Sequence, residues 1–194
     1  MIRSSADQHV SPLVYGIVKQ GMTLWPRLQG VRIFGREHIP TSGRLILAGN
    51  HTTQLDPFLS SLGTPRFVHY MAKKELFDNK FFAFMMSRGG TFPVDRGARA
   101  DIGAIRKALE VLDGEGVLGI FPQGTRGGQE VLDGVSYLAL KGKAPIVPMY
   151  IGKHGAWKVV YGPPIAPEGK VKELTQKVMD AIAALERQAR GAGV

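Results

Sequence analysis

Arg44-Leu45-Ile46-Leu47-Ala48-Gly49-Asn50-His51-Thr52-Thr53-Gln54-Leu55-Asp56-Pro57 joins an apolar run, a polar loop and a proline that leads into a second apolar run. Its opening is a short apolar run, Arg44–Ala48, which predicts a buried strand. The run stops at Gly49-Asn50, so His51 stands at the strand's carboxyl end, where ligand and catalytic groups gather in open α/β sheets. Pro57 then opens a second apolar run, which predicts a loop leading into a helix. A strand, a polar loop and a helix in that order is the unit of an α/β domain.

The same alternation continues outward. Further strands are predicted at Val31–Phe34, Phe67–Tyr70, Val117–Phe121, Ile146–Ile151 and Trp157–Tyr161. Thr91–Val94 reads as another, which Pro93 confines to an edge or an end. The clearest helix covers Asp101–Leu112, with Ile102, Ile105, Leu109 and Leu112 as its apolar stripe and Gly114 as a stop. A second covers Lys170–Arg190, and shorter ones fall at Lys80–Met86 and Val135–Leu140. The reading is one mixed, mainly parallel α/β sheet flanked by helices in residues 31–194, preceded by an appendage in residues 1–30.

Composition narrows the partners. With 25 Lys and Arg against 16 Asp and Glu the formal charge is +9, which favours polyanions: nucleic acid, anionic lipid or phosphorylated small molecules. The basic residues form no long run, and the aromatic residues fall mostly in apolar runs, which argues against nucleic acid. The absence of cysteine excludes a disulfide framework and thiolate metal sites. The first dozen residues are polar and lack the basic-then-apolar order of a secretory signal. Leu13 to Phe34 is apolar, but Lys19, Gln20, Arg27, Gln29 and Arg32 interrupt it before it reaches a spanning length. Two readings stand for this segment: amphipathic helices lying in a membrane interface, with Lys19 and Arg27 meeting headgroups, or a helix docked on the domain's own core.

Four segments carry chemistry. His51 and Asp56, five residues apart, would be separated by about 140° on a straight helix and so face apart. A turn between them would let Asp56 hold one imidazole nitrogen and leave the other as a proton acceptor. Asp56 before Pro57 also reads as a plain helix N-cap. The second segment, Gly119 to Gly128, runs from a strand into Pro122-Gln123-Gly124-Thr125-Arg126; glycines admit a close backbone approach to an anion, and Arg126 supplies a planar fork suited to phosphate. Its alternative is a strand-to-loop turn with a surface arginine. The third, Gly90 to Gly97, places Arg96 just after a strand-like run. The fourth, Pro145 to Ile151, reads as architecture.

In order and spacing these segments resemble the four motifs of the glycerolipid acyltransferase family, whose bacterial members include 1-acylglycerol-3-phosphate acyltransferases. Met71-Ala72-Lys73-Lys74-Glu75-Leu76-Phe77 is similar to that family too, and the resemblance runs from about Phe34 to Pro167. It implies that His51 deprotonates an acceptor hydroxyl, that Asp56 orients it, and that the oxygen attacks an acyl-CoA or acyl-carrier-protein thioester directly. It implies that Arg126 and Arg96 hold the acceptor's phosphate with help from Lys73, and that Gln123, Gly124 and Thr125 line the same site. It further implies no cofactor beyond the thioester co-substrate, N-terminal helices docked on an anionic membrane, and a peripheral or monotopic place at the cytoplasmic face of the cell membrane.

Three positions depart from the family. Gln123 stands where glutamate is usual, keeping an acceptor oxygen but losing the charge. Gly127 replaces a serine, and Asp133 lies near a common lysine position. The acceptor therefore stays open among lysophosphatidic acid, another lysophospholipid and a lyso-aminolipid. Gly114 to Gly119 fits G-x-G-x-x-G but precedes its strand instead of opening a helix, which excludes a dinucleotide fingerprint. His9, His38, His69 and His154 lack metal-ligand spacing. The rivals are a hydrolase using His51 and Asp56 on water, for which no nucleophile or metal is found, and a non-catalytic lipid-binding relative, which leaves the His-Asp pair without a role.

Overall fold

A computed structural model of the chain describes residues 4–17, 30–95, 101–122 and 129–191. Seven strands make one sheet: β1 (Arg32–Phe34), β2 (Leu45–Gly49), β3 (Val68–Lys73), β4 (Thr91–Val94), β5 (Val117–Ile120), β6 (Ile146–His154) and β7 (Ala156–Tyr161). Their order is β1-β7-β6-β2-β5-β3-β4. Every neighbouring pair is parallel except the β6–β7 hairpin. Strand β4, which carries Pro93, lies at the edge.

The helices are α1 (residues 12–17), α2 (Asp56–Ser61), α3 (Lys80–Arg88), α4 (Ile102–Asp113), α5 (Gln129–Gly142) and α6 (Val171–Arg190). All five residues of β2 are buried, because both faces of this central strand are covered. Leu45 and Leu47 pack with Leu59 of α2, Val147, Met149, Val159 and Tyr161. Ile46 and Ala48 face the other way, towards Ala108 and Leu112 of α4, Leu138 of α5 and Leu174, Val178 and Ile182 of α6. Asp101 caps α4, accepting from the Ala104 N–H at 2.9 Å.

Several boundaries move. Strand β3 runs on to Lys73, β6 runs on to His154 and turns at Gly155 (φ +74°), and α5 starts at Gln129. The extra residues of β6 come from its hairpin with β7, a pairing partner that a local apolar run does not reveal.

The N-terminal residues are tied to the sheet. A 3-10 turn, Ser5–His9, brings Asp7 to His69 of β3, where Asp7 Oδ1 lies 2.8 Å from His69 Nε2. The Gly90 carbonyl faces the other ring nitrogen at 3.1 Å. Asp7 Oδ2 accepts from Ser4 N–H (2.5 Å) and Ser4 Oγ (2.9 Å). Burial alone would raise the Asp7 carboxyl, but the His69 and Ser4 bonds outweigh it and hold the group below the ordinary carboxylate range. Tyr15 of α1 packs edge-on against Phe67 at 4.7 Å, while Leu13 and Ile17 are exposed. Val18, Lys19, Trp25, Arg27 and Leu28, part of the expected docking segment, lie outside the described residues. Among the described residues no helix is long and apolar enough to cross a membrane.

Arg66 is buried but committed to architecture. Its guanidinium donates to the carbonyls of Pro40 (3.2 Å), Gly43 (2.5 Å) and Glu115 (2.6 Å), joining the loops that feed β2 and β5. These bonds lie at the amino ends of the strands, the edge away from His51.

Candidate active site

His51 leaves β2 at the carboxyl edge of the sheet. The preceding Asn50 is buried, and its side chain acts as a strand extension: Nδ2 donates to the Ile151 carbonyl at 2.7 Å, and Oδ1 accepts from the Ile151 N–H at 2.8 Å. The two bonds fasten the end of β2 to β6 just where β2's own pairing stops. The register of His51 is set there.

From His51 the chain turns back, with Asp56 N–H donating to the Thr53 carbonyl at 3.3 Å. The turn brings Asp56 Oδ2 to 2.9 Å from His51 Nδ1. The same oxygen accepts from the N–H groups of Thr52 (2.6 Å) and Thr53 (2.8 Å), and Oδ1 accepts from Thr53 Oγ1 at 2.8 Å. Asp56 is therefore the first residue of α2, not its N-cap, which is Leu55. Its carboxylate points back into the loop. The Asp56 side chain is 0% exposed and that of His51 16%, so the pair presents only the imidazole to solvent. With Nδ1–H donated to the carboxylate, Nε2 carries the lone pair.

A six-residue helix does not stand by itself in water, and two tyrosines hold α2 from the sheet. Tyr70 Oη of β3 donates to the Pro57 carbonyl and lies beside Ser60 Oγ, both at 2.7 Å. Tyr161 Oη of β7 donates to the Ser60 carbonyl at 2.7 Å and accepts from the Gly63 N–H at 3.2 Å. Burial raises both phenols, Tyr70 far above its ordinary value, and keeps them as donors. Gly63 is required: a Cβ there would sit 2.2 Å from the Tyr161 ring.

Phe121, at the end of β5, lies under the imidazole with ring centroids 4.7 Å apart and planes 24° apart, and Tyr70 continues the stack behind it at 6.0 Å. The imidazole is thus held by a hydrogen bond along one edge and an aromatic face beneath. A side chain held this way keeps one ring nitrogen free of the carboxylate, in a position to accept a proton.

A family model described as Acyltransferase matches residues 30–152, more than half of the chain. The chain belongs to the acyltransferase family. The 1-acyl-sn-glycerol-3-phosphate acyltransferase of Bacillus subtilis (strain 168) is 34% identical over 148 residues, covering 70% of this chain and 74% of that protein. The enzyme of the same name from Streptococcus pneumoniae is 31% identical over 131 residues, 66% of this chain and 49% of that one. The chain thus spans about three quarters of the first relative and half of the second. The crystal structure of the 1-acyl-sn-glycerophosphate acyltransferase from Thermotoga maritima aligns over 93% of this chain and 83% of that chain at a TM-score of 0.70 and 21% identity, a likeness of fold.

In this acyltransferase the carboxyl edge of the parallel strands carries His51 after β2, Lys73 at the end of β3 and Phe121 after β5. Lys73 is half-buried, and its neighbour Lys74 is engaged by Asp95. The Asp95 N–H in turn donates to Asp101 Oδ2 at 2.7 Å, which ties the chain leaving β4 to the cap of α4. Arg96 follows immediately, but it lies outside the described residues, as do Gln123, Gly124, Thr125 and Arg126. Asn50, Thr53 and Phe121 were not singled out by the sequence reading. Asn50 had a local signal, an amide-bearing residue at the end of a buried strand; the Phe121 stack depends on strands β2 and β5 being neighbours.

Proposed function

We propose that this acyltransferase moves a fatty acyl group from acyl-CoA or acyl-carrier protein to the free hydroxyl of 1-acyl-sn-glycerol-3-phosphate, giving phosphatidic acid. The observation that carries the proposal is the 2.9 Å bond from His51 Nδ1 to the buried Asp56 carboxylate, at an edge of the sheet where Nε2 is left open. The names of its relatives support the acceptor.

The acceptor O–H gives its proton to His51 Nε2 as its oxygen bonds to the thioester carbonyl carbon. The tetrahedral intermediate collapses with cleavage of the C–S bond, and the imidazolium returns the proton to the departing thiolate. Asp56 stabilises the imidazolium while it exists. No acyl-enzyme forms, and no cofactor beyond the donor is required. Arg96, Arg126 and Lys73 hold the acceptor's phosphate, and the protein works at the cytoplasmic face of a membrane.

The test is transfer from palmitoyl- or oleoyl-thioester to 1-acylglycerol-3-phosphate by wild type, His51→Ala and Gln123→Glu. Product from wild type that falls roughly a thousandfold or more in His51→Ala supports the base. Folded wild type that makes no product with any donor overturns the acceptor assignment, and rescue by Gln123→Glu would mark a relative that lost catalysis with the charge.

A further inference from the structure

Helix α3 buries none of its residues. In an α/β domain a helix normally spends its aromatic side chains on the sheet, yet Phe81 is 67% exposed, Phe82 57% and Phe84 54%, and Leu76 on the turn before it is 54% exposed. At 100° per residue the three phenylalanines fall within about 160° of arc, while Ala83 and Met86, both half-buried, occupy the opposite side. The helix is well made: Asn79 Oδ1 accepts from the N–H groups of Phe81 and Phe82. An apolar face of this size on a stable helix marks a contact surface.

Its chemistry selects the occupant. Basic residues bracket the phenylalanines: Lys73 and Lys74 precede the helix, Lys80 opens it, and Arg88 closes it with its guanidinium 5.4 Å above the Phe84 ring. Glu75 and Asp78 are the acidic residues between 73 and 88, and Lys74 is paired with Asp95 beyond them, which leaves Lys73, Lys80 and Arg88 to face an anionic surface. The surface is a convex helix side with cationic ends, on a chain of charge +9, which suits the flat, deformable, anionic boundary of a bilayer. It also has neighbours of the same character. The Ser11 N–H donates to the Arg88 carbonyl at 3.1 Å, which places α1, with exposed Leu13 and Ile17, against the end of α3.

We infer that α3 is a membrane-docking helix, with Phe81, Phe82 and Phe84 entering an anionic lipid surface between Lys80 and Arg88. A 3-10 turn, Lys74–Phe77, links the carboxyl end of β3 to α3, so the start of α3 lies towards the edge of the sheet that carries His51 and docking brings that edge to the bilayer boundary. The inference rests on the proposed lipid acceptor for its purpose, not for the binding itself.

The full chain is tested by co-sedimentation with vesicles of equal parts phosphatidylglycerol and phosphatidylcholine, and of phosphatidylcholine alone. Phe81→Ser/Phe82→Ser/Phe84→Ser should bind the mixed vesicles at least tenfold more weakly, roughly what losing three partly inserted rings removes. Its melting temperature and its acylation of a water-soluble short-chain acceptor should be unchanged. Lys80→Glu/Arg88→Glu should lose the preference for phosphatidylglycerol. Binding by the triple variant within about twofold of wild type, or a loss seen only in Leu13→Ser/Ile17→Ser, would overturn the inference. So would light scattering that finds a wild-type dimer abolished by the triple variant while vesicle binding persists. Vesicle binding by a wild type inactive towards every acceptor would leave α3 as assigned and remove the proposed reaction instead.

Discussion

Asp56 makes more hydrogen bonds to its loop than to the histidine it serves, and this determines what substitutions there do. In Asp56→Asn the amide oxygen takes the place of Oδ2, because three N–H groups from His51, Thr52 and Thr53 converge on it. The amide nitrogen then falls beside Thr53 Oγ1. The imidazole keeps its tautomer and loses only the charge opposite the developing imidazolium. Asp56→Asn should retain on the order of a hundredth of the wild-type kcat, while Asp56→Ala, which releases the loop as well, falls to the level of His51→Ala. Steady-state kinetics on the three variants check this, and equal losses in Asn and Ala would mean the charge alone mattered. Asn50 gives a second residue-scale test. Asn50→Ala strands the buried N–H and carbonyl of Ile151 and should lower stability by about 2 kcal/mol in denaturant melts. Asn50→Asp, although isosteric, turns a carboxylate oxygen onto that carbonyl and should be at least as damaging.

At the scale of elements, the strands and long helices follow from sequence because each is a local pattern. The apolar runs at Leu45, Val117 and Ile146 and the stripe through Leu174, Val178 and Ile182 name their own buried faces. The fastenings between elements do not. Tyr161 reaches Ser60 and Asp7 reaches His69 only because of the strand order, which no local spacing carries. The site divides the same way, since His51 and Asp56 are close in sequence whereas Asn50 and Phe121 act through β6 and β5. The N-terminal fastening makes a prediction of its own. Asn in place of Asp7 must aim its amide nitrogen either at His69 or at the Ser4 donors, losing one set of bonds, and should cost about 1–3 kcal/mol. Because the Asp7 carboxyl is held below its unfolded value, its stabilisation is complete above that value and is lost as pH falls through the folded one. The melting-temperature gap between wild type and Asp7→Asn should close as pH falls from about 5 to below about 4. A gap that widened on acidification would reverse the assignment.

The whole molecule carries a charge of +9, and the proposed function and the proposed docking helix give it two different anions to meet: the phosphate of the acceptor and the surface of a bilayer. Salt separates them. Raising ionic strength from 0.1 to 1 M shortens the screening length from about 10 Å to about 3 Å, which weakens exposed charges facing a surface far more than groups closed around a bound phosphate. Each basic residue near an anionic leaflet contributes about 1 kcal/mol, so vesicle binding should fall at least tenfold over that range. The remainder belongs to the apolar face of α3, and it should vanish in the triple phenylalanine variant at high salt. Acylation of a short-chain acceptor free in solution should lose much less than acylation of the same headgroup in vesicles. If the two rates fall together, the charge serves the acceptor's phosphate and the surface is held by phenylalanine alone. If only the vesicle rate falls, the excess charge is what brings the enzyme to its substrate's plane, and α3 is what keeps it there.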